Sequence, residues 1–150
     1  MPKMERRAEI VWEGDIRGSG RLSVGSEAFP EQVVTFAART EAADGKTSPE
    51  ELIAAAHATC YAMAFSNTLA QEKSPPERLE VSAVCTLDRV EGALKITTIE
   101  LAVRGVVSGI DQARFEELAR LAEQRCPVSN ALRGNVEISV HAELRGGAAR

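Results

Sequence analysis

A chain of 150 residues, 44% hydrophobic and 27% charged, has the size of one domain, 1–150, whose core buries about two-thirds of the surface its unfolded form exposes. A formal charge of −4 without any dense Lys/Arg cluster argues against nucleic acid and anionic membrane, and points to a small or neutral partner. Cys60, Cys85 and Cys126 are odd in number and widely spaced, unlike a secreted disulfide framework, so free thiols in a reducing cytoplasm are expected.

The opening residues carry charge but no apolar h-region, so no secretory signal is expected. Residues 5–13 alternate apolar Ala8, Ile10 and Trp12 with charged Arg7, Glu9 and Glu13, the period of a half-buried strand. Glycines at 14, 18 and 20 punctuate the chain, residues 21–24 return as a second strand, and residues 33–38 read as a third. Together they predict a small antiparallel sheet.

Residues 47–73 predict the central helix. Ser48 caps it, Pro49 occupies a position where a missing N–H costs nothing, and Glu51 completes a capping box at the positive helix end. From 52 to 65 no solvated stripe interrupts the apolar residues, which predicts a helix packed on every side. The run is shorter than the ~20 residues a bilayer requires. Its many alanines allow another helix to approach closer than the usual ~8–10 Å.

After Pro75-Pro76 the chain alternates again. Leu79, Val81, Ala83, Cys85 and Leu87 share one face, Glu91-Gly92 turns, and a partner strand runs to about residue 107, making a long hairpin. Asp111 caps a helix over about 112–124, with Phe115, Leu118, Leu121 and Ala122 in one stripe. Pro127 starts a further helical turn over 128–132. Val136, Ile138, Val140 and Ala142 alternate into a closing strand, and 146–150 read as a frayed tail. The fold class is α+β with mainly antiparallel sheets.

Few side chains can carry chemistry. Cys85, on the apolar face of a strand, reads as a small buried hydrophobe. Cys126 precedes Pro127 at a helix N-terminus, where the macrodipole and unpaired N–H groups favour a thiolate, although a structural role fits the bare sequence equally well. Cys60 lies about 15 Å along the axis from Glu50, too deep for its own helix N-terminus to help, and apolar surroundings raise a thiol's pKa. Its reactivity requires a cation from elsewhere. His57, three residues before Cys60, is in reach as a base, but a lone His on an apolar face is more often a hydrogen-bonded core residue.

TSPEELIAAAHATCYAMA around Cys60 and CPVSNAL around Cys126 resemble the OsmC/Ohr family, the osmotically inducible protein C and organic hydroperoxide resistance proteins. WEGDIRGSGRLSV and FAARTE resemble the OsmC branch in particular. The resemblance runs from Trp12 to Val140. It implies an OsmC-like fold of curved antiparallel sheets around a long buried helix, assembled as an intertwined homodimer. It also implies a peroxidase without haem, flavin or metal that acts on hydroperoxides and is recycled by a dithiol, either a lipoyl protein or a small thiol. Carried over by position, Cys60 is the peroxidatic thiol, Cys126 the resolving thiol, and Arg39 and Glu50 the supporting pair. The Ohr branch takes its arginine from the loop holding Arg17, whereas the FAARTE context favours Arg39; no catalytic role carries over to His57.

One arginine does not comfortably bridge the span from Glu50 to Cys60 on one helix, so if the three groups meet, a second chain is expected to contribute Glu50. Tyr61, Met63 and Phe65 are expected to meet the organic tail of the substrate, favouring organic hydroperoxides over hydrogen peroxide. Three other readings compete. His57, Cys60, Cys126 and Glu50 include zinc-ligand types, though without ligand spacing. A redox sensor would oxidise without repeated turnover, and a Cys/His acyl-transfer enzyme would hydrolyse activated esters.

Overall fold

The computed structural model describes residues 3–145; the tail expected at 146–150 lies outside them. The chain forms two compact units, one up to Leu52 and one from Ile53 onward.

The first unit holds an antiparallel sheet of β1 (Ala8–Glu13), β2 (Ser19–Val24) and β3 (Gln32–Val34), in that order. Gly20 on β2 lies opposite both Trp12 and Val34. A Cβ there would come within 2.8 Å of the Trp12 ring and 2.9 Å of Ile10. The absent side chain is what lets three large apolar groups close over one point of the sheet.

The strand expected over 33–38 is corrected. It stops at Val34, and Phe36–Thr40 is a short helix, α1. Thr35 stays extended while its side chain accepts the Ala38 N–H at 3.1 Å. This N-cap closes a helical turn that the apolar run concealed.

α2 (Pro49–Gln71) starts as its caps predict, with Ser48 Oγ accepting the Glu51 N–H at 3.1 Å. In the second unit it is followed by β4 (Pro76–Val90), β5 (Ala93–Val107), α3 (Gln112–Arg125), α4 (Pro127–Leu132) and β6 (Glu137–Leu144). β4 and β5 form the antiparallel hairpin, turning at Glu91 and Gly92, both with positive φ. The register slips where Thr86 faces Thr98 but Leu87 faces Ile96. This bulge at Thr97 explains why the apolar positions of β5 change from even (Leu94, Ile96) to odd (Ile99, Leu101, Val103). β6 joins β5 in parallel, which requires a crossover, and α3 with α4 supplies it.

The core of this unit gathers Tyr61, Phe65 and Leu69 of α2, Ile99, Leu101 and Val103 of β5, and Phe115, Leu118, Ala119 and Ala122 of α3. Ala119 takes the stripe position expected for Leu121, which is half-buried. Phe65 stacks at 5.0 Å from Phe115, and the Tyr61 hydroxyl donates to Ala119 O at 2.8 Å. Within the single chain α2 is buried along one stripe, in contrast to the all-round packing expected of it. His57, Tyr61, Phe65 and Leu69, spaced four apart, are fully enclosed, whereas Ala55, Ala56 and Thr59 are exposed and Met63 is 67% exposed. Among the described residues no helix is long and apolar enough to cross a membrane.

Candidate functional site

Two clusters of chemically active side chains form, one in each unit. In the second unit Cys60, midway along α2, meets Cys126. The latter is fully buried at the junction where α3 ends and α4 begins. Both thiols are free, and Cys126 lies close enough to act on Cys60 through a hydrogen bond and through charge.

Cys126 is the N-cap of α4, but its side chain makes no capping bond. The Val128 N–H, the first that helix offers because Pro127 has none, is directed to the Cys60 sulfur instead. The helix N-terminus expected to serve Cys126 thus serves Cys60, which its own helix cannot help. Burial nevertheless pushes the Cys60 thiol up, the hydrogen bond and charge of Cys126 add to the rise, and the Val128 amide opposes it.

His57 is fully enclosed one turn before Cys60, with Nε2 2.6 Å from Ser129 Oγ on α4. Its Nδ1 has no hydrogen-bond partner among the described residues. Burial lowers its pKa, the more distant charge of Glu123 opposing, so the ring is neutral near pH 7. With Nε2 engaged by Ser129, His57 is a hydrogen-bonded core residue.

In the first unit Arg39, in the last turn of α1, grips Glu50, in the first turn of α2. Arg39 Nε donates to both carboxylate oxygens at 3.1 Å and Nη2 donates to Oε2 at 2.8 Å. The Glu50 side chain is 8% exposed and that of Arg39 29%. The hydrogen bond to Glu50 and its charge raise the Arg39 pKa against the opposing effect of burial, so the guanidinium is permanently charged. Arg17 is elsewhere engaged, folding back on Asp15 with an 88% exposed side chain. The arginine that pairs with Glu50 is Arg39.

Arg39 also forms part of the wall of a cavity of about 280 Å³ whose other walls are Ile10, Trp12, Ile16, Val34 and Phe36, with Thr35 and Pro49. Apolar walls with one fixed cation suit a molecule with an apolar body and a polar end. The expectation that Tyr61 and Phe65 meet an organic tail is corrected, since both are 0% exposed and fill the core. Sequence reasoning did not reach these cavity walls, because their residues come from two strands, the loop after β1, the first residue of α2 and a helix too short to leave a periodic signal. It also missed Ser129 as the partner of His57, though Ser129 stands in the stretch already singled out around Cys126.

Cys85 faces Ile99 across the hairpin and packs against the core. Among the described residues no group of three or more His, Cys, Asp and Glu is gathered to hold a metal ion.

A family model described as OsmC-like protein matches residues 42–141. The peroxiredoxin OsmC of Escherichia coli strain K12 is 37% identical over 136 residues, covering 90% of this chain and 94% of that protein. An organic hydroperoxide resistance protein of Xanthomonas axonopodis pv. citri is 34% identical over 95 residues, 63% of this chain and 65% of its own. The crystal structure of an organic hydroperoxide resistance protein from Elizabethkingia anophelis superposes with a TM-score of 0.79 at 23% identity, covering 96% of this chain and 99% of that one. The fold is thereby that of the OsmC and Ohr proteins.

Proposed function

Since the chain belongs to the OsmC-like protein family, we propose that it is a thiol peroxidase reducing organic hydroperoxides at Cys60, with Cys126 as resolving thiol. The observation that carries this reading is the meeting of the two sulfurs, remote in sequence, at the start of α4. The Cys60 thiolate attacks one peroxide oxygen, the O–O bond breaks, and the other oxygen leaves and takes up a proton to become the alcohol. Cys60 is then a sulfenic acid. The Cys126 thiol attacks its sulfur, water leaves, and a disulfide forms before irreversible over-oxidation. An external dithiol reduces the disulfide, becoming a disulfide itself.

Lowering the thiol pKa is not enough to explain catalysis. A drop from ~8.5 to ~6 raises the thiolate fraction roughly thirtyfold at pH 7, but the accompanying loss of nucleophilicity is about thirteenfold. The net gain is about twofold, so most of the acceleration must come from stabilising charge on the peroxide oxygens. A planar, permanently charged guanidinium held by a carboxylate is suited to that task.

Glu50, which holds Arg39, is ten residues from Cys60 on α2, about 15 Å of helix rise. The arginine is therefore presented to the Cys60 of a second chain, and the active form is a homodimer with composite sites. The exposed apolar side chains Ile10, Val11, Ile16, Val33 and Met63 supply surface for that association. The cavity beside Arg39 takes the organic part of the substrate.

The test is consumption of cumene hydroperoxide by the purified protein with excess dithiol or excess monothiol. Many peroxides consumed per chain with the dithiol supports the peroxidase. Consumption of one equivalent, followed by a stable disulfide that dithiol does not return to the cycle, marks a sensor and overturns it.

A further inference from the structure

His57 lies outside the chemistry just described, yet it is a polar ring, fully buried, with one nitrogen unpartnered among the described residues. Such a group lowers stability relative to an apolar side chain of similar size, so its single hydrogen bond calls for an explanation beyond packing. That bond, Nε2 to Ser129 Oγ at 2.6 Å, joins a side chain of α4 to a side chain of α2. Other bonds hold α4 and the residue after it to the end of α3. Asn130 Nδ2 donates to Gln124 O at 3.0 Å, and Arg133 Nη2 donates to Glu123 Oε2 at 2.8 Å. They do not reach α2, to which α4 is tied by His57 with Ser129 and by the Val128 amide at Cys60.

The sequence neighbours make that placement consequential. Cys60 follows His57 by one turn of α2, and Val128, whose N–H reaches the Cys60 sulfur, immediately precedes Ser129. Two links therefore run side by side between the same pair of helices. A small rotation of α4 that broke the first would draw the amide off the sulfur and carry Cys126, the N-cap of the same helix, with it.

We propose that His57 is a positioning residue of the thiol site, holding α4 through Ser129 so that the Val128 amide stays on Cys60 and Cys126 stays within reach for disulfide closure. Only a neutral ring does this well. With Nδ1 unprotonated, Nε2–H donates to Ser129, whereas a protonated Nδ1 would bury an unpaired donor. The charged group acting on the ring is Glu123 of α3, and the titratable side chains one turn away along α2 are Cys60 and Tyr61. The proposal rests on the reading of Cys60 and Cys126 as the reacting pair.

Its test uses two readouts independent of peroxidase turnover, each on the full chain. The first is the pH midpoint of Cys60 alkylation by iodoacetamide, resolved from the other thiols by peptide mass spectrometry. The second is the rate of Cys60–Cys126 closure with diamide, which oxidises two thiols to the disulfide as it is reduced to its hydrazine. Ser129→Ala and His57→Leu are each expected to raise the alkylation midpoint by about half a pH unit or more and to slow closure at least about fivefold, the factor carried by one ordinary hydrogen bond.

The double variant is expected to be no worse than the worse single one, and His57→Gln, which returns an N–H near Nε2, to restore both readouts. If His57→Leu does not fold, Ser129→Ala decides. The proposal is overturned if Ser129→Ala leaves both readouts unchanged, or if Leu118→Ala, a truncation in the α3 part of the core, shifts them as far. Absence of peroxide turnover in the unmodified chain would remove the functional reading while leaving both measurements valid.

Discussion

Arg39 and Glu50 of one chain are joined by three hydrogen bonds, the Nε donating to both carboxylate oxygens and Nη2 to one of them. The forked geometry belongs to a guanidinium, and an ammonium cannot reproduce it. Arg39→Lys is expected to lower kcat/KM for cumene hydroperoxide by roughly 10²–10³-fold, the range for losing one preorganised donor. Glu50→Gln keeps the shape, removes the charge, and should cost less. A steady-state assay at several peroxide concentrations checks both, and Arg39→Lys retaining full activity would remove Arg39 from the reaction.

Composite sites predict complementation. Arg39→Ala and Cys60→Ser chains should each be inactive, but unfolding and refolding them together should yield mixed dimers with one intact site. Random pairing makes half the dimers mixed, so about a quarter of the unmodified activity is expected. Sites built within single chains would leave the mixture inactive.

The two thiols should separate cleanly by substitution. Cys60→Ser is expected to consume no peroxide. Cys126→Ser should consume about one equivalent and then stall as the sulfenic or a higher acid. Stopped-flow peroxide consumption followed by intact mass measurement reads both outcomes.

Trp12 is the bulkiest side chain lining the cavity beside Arg39. Trp12→Ala is expected to reduce the rate with cumene hydroperoxide about tenfold or more, the scale for losing apolar contact in a specificity pocket, and to leave the slower rate with hydrogen peroxide nearly unchanged. Equal losses on both substrates would mean that Trp12 supports the site and does not select the substrate.

His57 makes stability depend on pH with a definite sign. Its pKa is lowered in the folded chain, so between that value and the unfolded value near 6.5 the unfolded state binds a proton that the folded state refuses. This contribution is fully present above about pH 6.5 and is lost as pH falls below it, by at most about 1.4 kcal/mol per pH unit. Urea midpoints measured from pH 7.5 to 5.5 should decline in the parent and stay nearly flat in His57→Gln.

Much of the local structure was legible because its causes are local. The Ser48 and Asp111 caps, the proline at the start of α4 and the alternation of β4 and β5 each act within a few residues, and those elements fall where these signals put them. At Thr35 two local signals competed: the apolar run 33–38 favoured a strand, and a threonine cap turned its second half into α1. The phase change in β5 was visible in the sequence as a shift of apolar residues from even to odd, but a bulge explains it only once the partner strand is known.

By itself the sequence determined the elements, their capped ends and the two cysteine stretches, because hydrophobic period and capping chemistry depend on near neighbours. Tertiary structure decided which groups meet. The amide at the start of α4 reaches Cys60 rather than Cys126, Ser129 bonds a histidine 72 residues away, and Arg39 instead of Arg17 closes on Glu50. Such contacts depend on the path of the chain through a parallel crossover and a short helix, and no spacing within a single element encodes that path.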